Sequence, residues 1–144
     1  MRVLALDMGE RRIGMAMSDP LGMTAQRAGT IERGALKETI RRLQDIVSRN
    51  EIGMVVVGLP LSMDGSRGTS AAGVGRFTED LTRALTIPVT LWDERLTTAE
   101  AERLMRSAGI SRKKRAGHLD EVAAQLILQS YLDSHRENTG RERC

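Results

Sequence analysis

The sequence predicts an α/β domain in which a mixed sheet opens as an N-terminal β-meander and carries helices packed on both faces. Three observations predict it. Short apolar runs come first and close together, strand-like and helix-like patterns then alternate, and the last helical pattern is apolar almost all round. No internal repeat or low-complexity linker interrupts the 144 residues, so one domain over 1–135 is expected, with a polar tail from 136 to 144.

Each element has local grounds. Val3–Asp7 reads as a short buried strand, Met8 to Arg12 as a turn, and Ile13–Ser18 as the returning strand of a hairpin. Thr24–Ile31 follows as a third strand. Leu36, Ile40, Leu43 and Val47 recur at helical spacing, which predicts an amphipathic helix from Ala35 to about Arg49. The β-branched run Met54–Val57 predicts a central strand, and Gly58 to Ser70 a polar, glycine-rich loop with an Asp64-Gly65 turn. Val74, Phe77, Leu81 and Leu85 mark a second helix, and Pro88–Trp92 a further strand with Asp93-Glu94-Arg95 after it. Thr97 and Glu100 fit a capping box ahead of Ala101, Leu104, Met105 and Ala108, with Gly109 as the stop. A last helix is expected from about Leu119 to Ser134, and the eight methionines read as core filler.

Composition narrows the function. Hydrophobic residues at 40% and charged residues at 28% exclude wholesale disorder. No apolar run reaches bilayer length, the N-terminus lacks a signal-type stretch, and the single Cys144 allows neither an intrachain disulfide nor a cysteine zinc cluster. A cytoplasmic protein without membrane contact is expected. The net charge of +3 permits nucleic-acid binding, and its local clusters are Arg11-Arg12 and the run from Arg112 to Arg115. Aromatic residues make up 2%, too few for a base-stacking platform, so backbone and shape recognition is the mode expected.

Acidic residues supply the chemistry. Functional groups of open α/β sheets gather beyond the carboxyl ends of the strands. Asp7 and the Asp93-Glu94 pair fall at two such ends, and Asp120 opens the last helix. Converging carboxylates repel unless a cation sits between them, and oxygen donors without thiolates or a histidine pair select Mg²⁺ or Mn²⁺. Acids holding such ions beside basic residues describe a phosphodiester-cleaving site. Each acid also has a structural reading of its own. Asp7 could accept backbone N–H groups in the turn, Asp93-Glu94-Arg95 could be a surface ion-pair cluster, and Asp120 could answer the helix dipole.

The segments "LALDMGERRIGMAMSD", "VVVGLPLSMDGSRG", "LWDERLTTAEAERLM" and "HLDEVAAQLILQSYLD" resemble, in order, the four signature blocks of the YqgF family. That family's members are provisionally named pre-16S rRNA nucleases and Holliday-junction resolvase homologues. The resemblance spans roughly Arg2 to Asp133 and implies an RNase H-like fold related to the RuvC resolvases. It implies Asp7, Glu94 and Asp120 as the catalytic, metal-holding acids, with Asp93 as the alternative to Glu94. Arg11, Arg12, Lys113 and Lys114, together with Arg95 beside the acid, would meet phosphate. Ser62 stands where the family commonly has Asn, and Ala123 and Ala124 stand where RuvC-type resolvases carry a further acid.

The leading expectation is therefore a Mg²⁺- or Mn²⁺-dependent nuclease acting on structured RNA. Its substrate would be a 16S rRNA precursor or ribosomal subunit, and its state a monomer or weak homodimer. A resolvase of branched DNA shares the chemistry. A non-catalytic RNA-binding assembly factor is the reading from another class, favoured by the missing fourth acid.

Overall fold

Two near-continuous apolar runs in the first eighteen residues build the centre of the sheet. The computed structural model describes residues 1–59, 71–93 and 121–135. Its strands are β1 (Arg2–Met8), β2 (Arg12–Ser18), β3 (Ala25–Glu32), β4 (Ile52–Leu59) and β5 (Val89–Asp93). Two helices, α1 (Leu36–Arg49) and α2 (Ala71–Ala84), lie between them, and a third, α3, is described over 121–135.

The sheet order is β3-β2-β1-β4-β5. β1 pairs antiparallel with β2 and parallel with β4, so the meander half and the crossover half meet along it. A strand flanked on both sides must be apolar on both faces. Leu4, Ala5 and Leu6 are accordingly fully buried.

Two cores cover the two faces. Leu4, Leu6 and Met8 join Ile13, Met15, Val55 and Val57 beneath Leu43 of α1 and Val74, Phe77 and Leu81 of α2. Val3 and Ala5 join Ala16, Ala25 and Val56 beneath α3, which contributes Ala124, Ile127, Leu128, Tyr131 and Leu132. The floor under α3 is largely alanine, so the helix backbone approaches the sheet closely. Burying Ile127 and Leu128 there is worth about 1.5–3 kcal/mol each.

α3 also satisfies backbone groups at the start of β3, the edge strand of the meander. The Ala25 N–H donates to Gln129 Oε1 at 3.1 Å, and Gln125 Nε2 donates to the Ala25 carbonyl at 3.1 Å. Helices thus occupy both faces of a mixed sheet, as the sequence predicts.

Some details differ. β4 runs on through Gly58 and Leu59, which pair with Trp92 and Asp93, so Asp93 closes β5 instead of following it. Continued ladder pairing outweighs the glycine that marks a stop in the sequence. Met8 and Met15 are core residues, but Met1 and Met23 are 68% and 42% exposed, so not every methionine fills the interior. The loop over 60–70, the helix expected from Thr97 to Ala108, the basic run and the tail over 136–144 lie outside the described residues. Among those described, no helix is long and apolar enough to cross a membrane.

Candidate active site

β1 carries Asp7 to the carboxyl end of the central strand, where open α/β sheets place their ligands. By alternation with Val3 and Ala5, its half-buried side chain rises on the α3 face. Its cross-strand partner on β2 is Gly14. On the other side, Leu6 pairs with Val57, which brings Gly58 of β4 level with Asp7. Gly14 and Gly58 are buried. A carboxylate thus stands between two residues that have no side chain on its face.

The next strand sorts the acids that follow it. Trp92 pairs with Gly58 and turns to the α3 face, where its indole N–H donates to Ser130 Oγ at 3.3 Å. Its ring meets Tyr131 edge-on, with centroids 5.5 Å apart. Asp93 must then rise on the face of α1 and α2, across the sheet from Asp7.

α3 runs antiparallel to β1. Glu121 lies over Gly29 of β3, its Oε1 3.8 Å from where a Cβ would stand, whereas Tyr131 donates to Met54 Sδ near the other end of the sheet. Gly29 adjoins Thr30, which pairs with Gly14, itself paired with Asp7. The first described turn of α3 therefore sits at the Asp7 end, on the Asp7 face.

Between β1 and β2 the chain makes a tight turn. The Gly9 N–H donates to the Arg12 carbonyl at 2.9 Å, which leaves Arg11 and Arg12 exposed at the end of the sheet. Arg33, just past β3, braces this turn twice. Its backbone N–H donates to the Arg11 carbonyl at 2.8 Å, and its Nη1 donates to the Gly9 carbonyl at 3.0 Å. The ion pairs Arg49 with Asp45 and Arg83 with Asp80 lie elsewhere, on α1 and α2.

At the opposite end of the sheet, Asp19 fills a structural role. The N–H groups of Thr24 and Met23 donate to Oδ1 at 2.8 and 2.6 Å, and that of Leu21 to Oδ2 at 3.3 Å. These bonds, Thr24's foremost, hold its carboxyl below the usual carboxylate range. The tract Asp19-Pro20-Leu21-Gly22, with Gly22 at φ +70°, carries the sequence signal for such a turn.

Of the residues expected to act, Asp7, Arg11 and Arg12 gather at one corner. Glu94, Arg95, Lys113, Lys114 and Asp120 lie outside the described residues. Arg33 carries no motif, and its place depends on the pairing of Arg12 with Glu32, a register that local pattern does not reveal. Among the described residues no three acidic, histidine or cysteine side chains cluster as a metal site. Asp7 alone already has the donor chemistry of a hard divalent ion: a carboxylate, with no thiolate or imidazole near it in the strand pairing.

Comparison with known proteins sets this corner in context. A family model described as RuvX, Holliday junction resolvase, matches residues 1–134. A protein of Thermoanaerobacter pseudethanolicus provisionally named a pre-16S rRNA nuclease is 48% identical over 137 residues, covering 94% of this chain and 99% of the relative. One of the same name from Myxococcus xanthus is 46% identical over 136 residues, covering 94% and 90%. Among solved structures, Thermus thermophilus RuvC aligns with a TM-score of 0.60 at 16% identity over 94% of this chain and 97% of that one. The fowlpox virus resolvase bound to Holliday junction DNA gives 0.52 at 12% identity over 93% and 98%. At such identities the likeness establishes the fold, which is RNase H-like.

Proposed function

Because this chain belongs to the RuvX family and is a nuclease, we propose that it hydrolyses phosphodiester bonds in a structured precursor of 16S rRNA, using Mg²⁺ or Mn²⁺ held by Asp7, Glu94 and Asp120. The observation that carries the site is Asp7 between Gly14 and Gly58 at the end of the central strand. Strands lie about 4.8 Å apart, so β1 and β5 are separated by about 10 Å with Gly58 between them. Gly58 puts no side chain beside Asp7 on that face, which leaves room there for an ion, with Trp92 standing opposite it on β5. Asp93, on the far face, favours its neighbour Glu94 as the acid from that strand. The Asp7 end of α3 favours Asp120, one residue ahead of Glu121.

A divalent ion bound there would lower the pKa of an attacking water and neutralise charge on the leaving oxygen. The chain's own residues prepare the rest. Arg11 and Arg12 present fork-shaped donors that suit phosphate oxygens and hold the backbone against the strand end. Arg95, Lys113 and Lys114 would extend that grip. The paired β1 and β2 backbones would hold the Asp7 carboxylate in place as charge builds up. The choice of RNA over DNA rests on the names of the relatives, since these contacts read backbone and shape.

The test is a substrate comparison with purified protein. A 5′-extended 16S rRNA precursor and a four-way DNA junction are incubated with and without Mn²⁺ or Mg²⁺. Divalent-dependent cleavage of the RNA, with the junction intact, is the expected result. Nicking of the junction alone would move the assignment to branched DNA, and binding of the RNA without cleavage in any metal would leave an assembly factor.

A further inference from the structure

We propose that Arg33 is a positioning residue, holding the Gly9–Arg12 turn so that Arg11 and Arg12 face the nucleic-acid backbone together. This rests on the reading that those two arginines bind phosphate. A guanidinium aimed at a main-chain carbonyl forms a charge-assisted bond, shorter and stronger than a neutral one. Arg33 Nη1 makes that bond to Gly9, two residues after Asp7, while its own N–H takes the Arg11 carbonyl. The turn is thus tied at two of its carbonyls to a residue just past β3, outside the hairpin. Arg33 is half-buried, whereas Arg11 and Arg12 are exposed, so its side chain lies behind the surface that they present.

The physical gain is preorganisation. Three like charges at one corner repel, and a four-residue turn held by the single Gly9–Arg12 bond would relax by splaying its arginines. Fixing the turn from β3 meets that ordering cost during folding, so binding does not bear it. Arg33 acts through Arg11 and Arg12, and that sets it apart from a third phosphate contact.

The experiment places Arg33→Met in the wild-type background and in an Arg11→Ala/Arg12→Ala background. Affinity for a 5′-extended 16S rRNA fragment is read by fluorescence anisotropy in EDTA, where no cleavage intervenes. Amide hydrogen exchange at Gly9 and Arg12 is read by NMR in the free protein. In the wild-type background affinity should fall about three- to tenfold, the scale of ordering one or two long side chains. In the double-alanine background it should not fall further, and the Gly9 amide should exchange faster in the variant. Arg33→Lys, which keeps a cationic donor, should return affinity to within about twofold. The same loss in both backgrounds, or unchanged exchange at Gly9, would overturn the proposal. Wild-type protein that binds no RNA overturns the substrate reading instead, and the exchange rates then decide the role of Arg33 by themselves.

Discussion

Asp7 and Asp19 are both carboxylates at strand ends, and their surroundings differ. Asp19 is saturated by main-chain donors from Thr24, Met23 and Leu21, which leaves its oxygens committed to the turn. Asp7 has glycines to either side on its face and lies at the ligand end of the sheet. A prediction separates the roles. The folded-state pKa of Asp19 is lowered, chiefly by the Thr24 N–H, so its contribution to stability is present above the unfolded value and is lost as pH falls through the folded one. Asp19→Asn should therefore lower Tm throughout the neutral range, and the gap to wild type should close below about pH 4, the ordinary aspartate range. Melting curves from pH 7 to pH 3 measure it. A gap that stays constant to pH 3 would remove the charge from the explanation, and cleavage by Asp19→Asn at neutral pH should match wild type.

At the scale of elements, hydrophobic period decides most of what forms. Leu4, Leu6 and Met8 against Val3 and Ala5 announce a strand apolar on both faces, and the spacing of Leu36, Ile40 and Leu43 announces α1. What local pattern misses are features set by register. β4 passes through Gly58 because β5 pairs alongside it, and Arg33 reaches the hairpin turn because Glu32 lies opposite Arg12. The resemblance prefers Glu94 to Asp93, and Trp92, turned to α3, adds a physical ground by sending Asp93 to the other face. α1 ends at Arg49 as the sequence predicts, but the backbone conformation just past it escapes a sequence reading. Asn50 caps it, its N–H and its Nδ2 both donating to the Ile46 carbonyl, and Glu51 follows at φ +52°. A side chain in that left-handed conformation costs about 1 kcal/mol, and glycine is the residue that helix ends usually place there. Glu51→Gly should raise the unfolding free energy by about 0.5–1 kcal/mol in urea titration with an unchanged m-value, glycine's extra chain entropy offsetting part of the relief. A loss of stability would show that the Glu51 side chain does more than fill the position.

For the molecule as a whole, the sheet joins two kinds of construction. On one side of β1 lies an antiparallel meander that projects a braced basic turn, and on the other the parallel pair β4 and β5, with α2 between them in the chain. Asp7 sits where they meet, under the end of α3. That placement gives a nuclease of the RuvX family a carboxylate on a buried strand and a cationic corner on an exposed turn, and under the proposed function binding and chemistry would draw on different residues. Removing the carboxylate should then remove chemistry and spare binding.

The most direct measurement is cleavage of a 5′-extended 16S rRNA precursor by wild-type protein and by Asp7→Asn, each titrated with Mn²⁺ and paired with binding in EDTA. Metal stabilisation worth several kcal/mol predicts at least a roughly hundredfold fall in rate for the variant, with affinity within about twofold of wild type. Cleavage by Asp7→Asn at the wild-type rate would contradict the account at its centre.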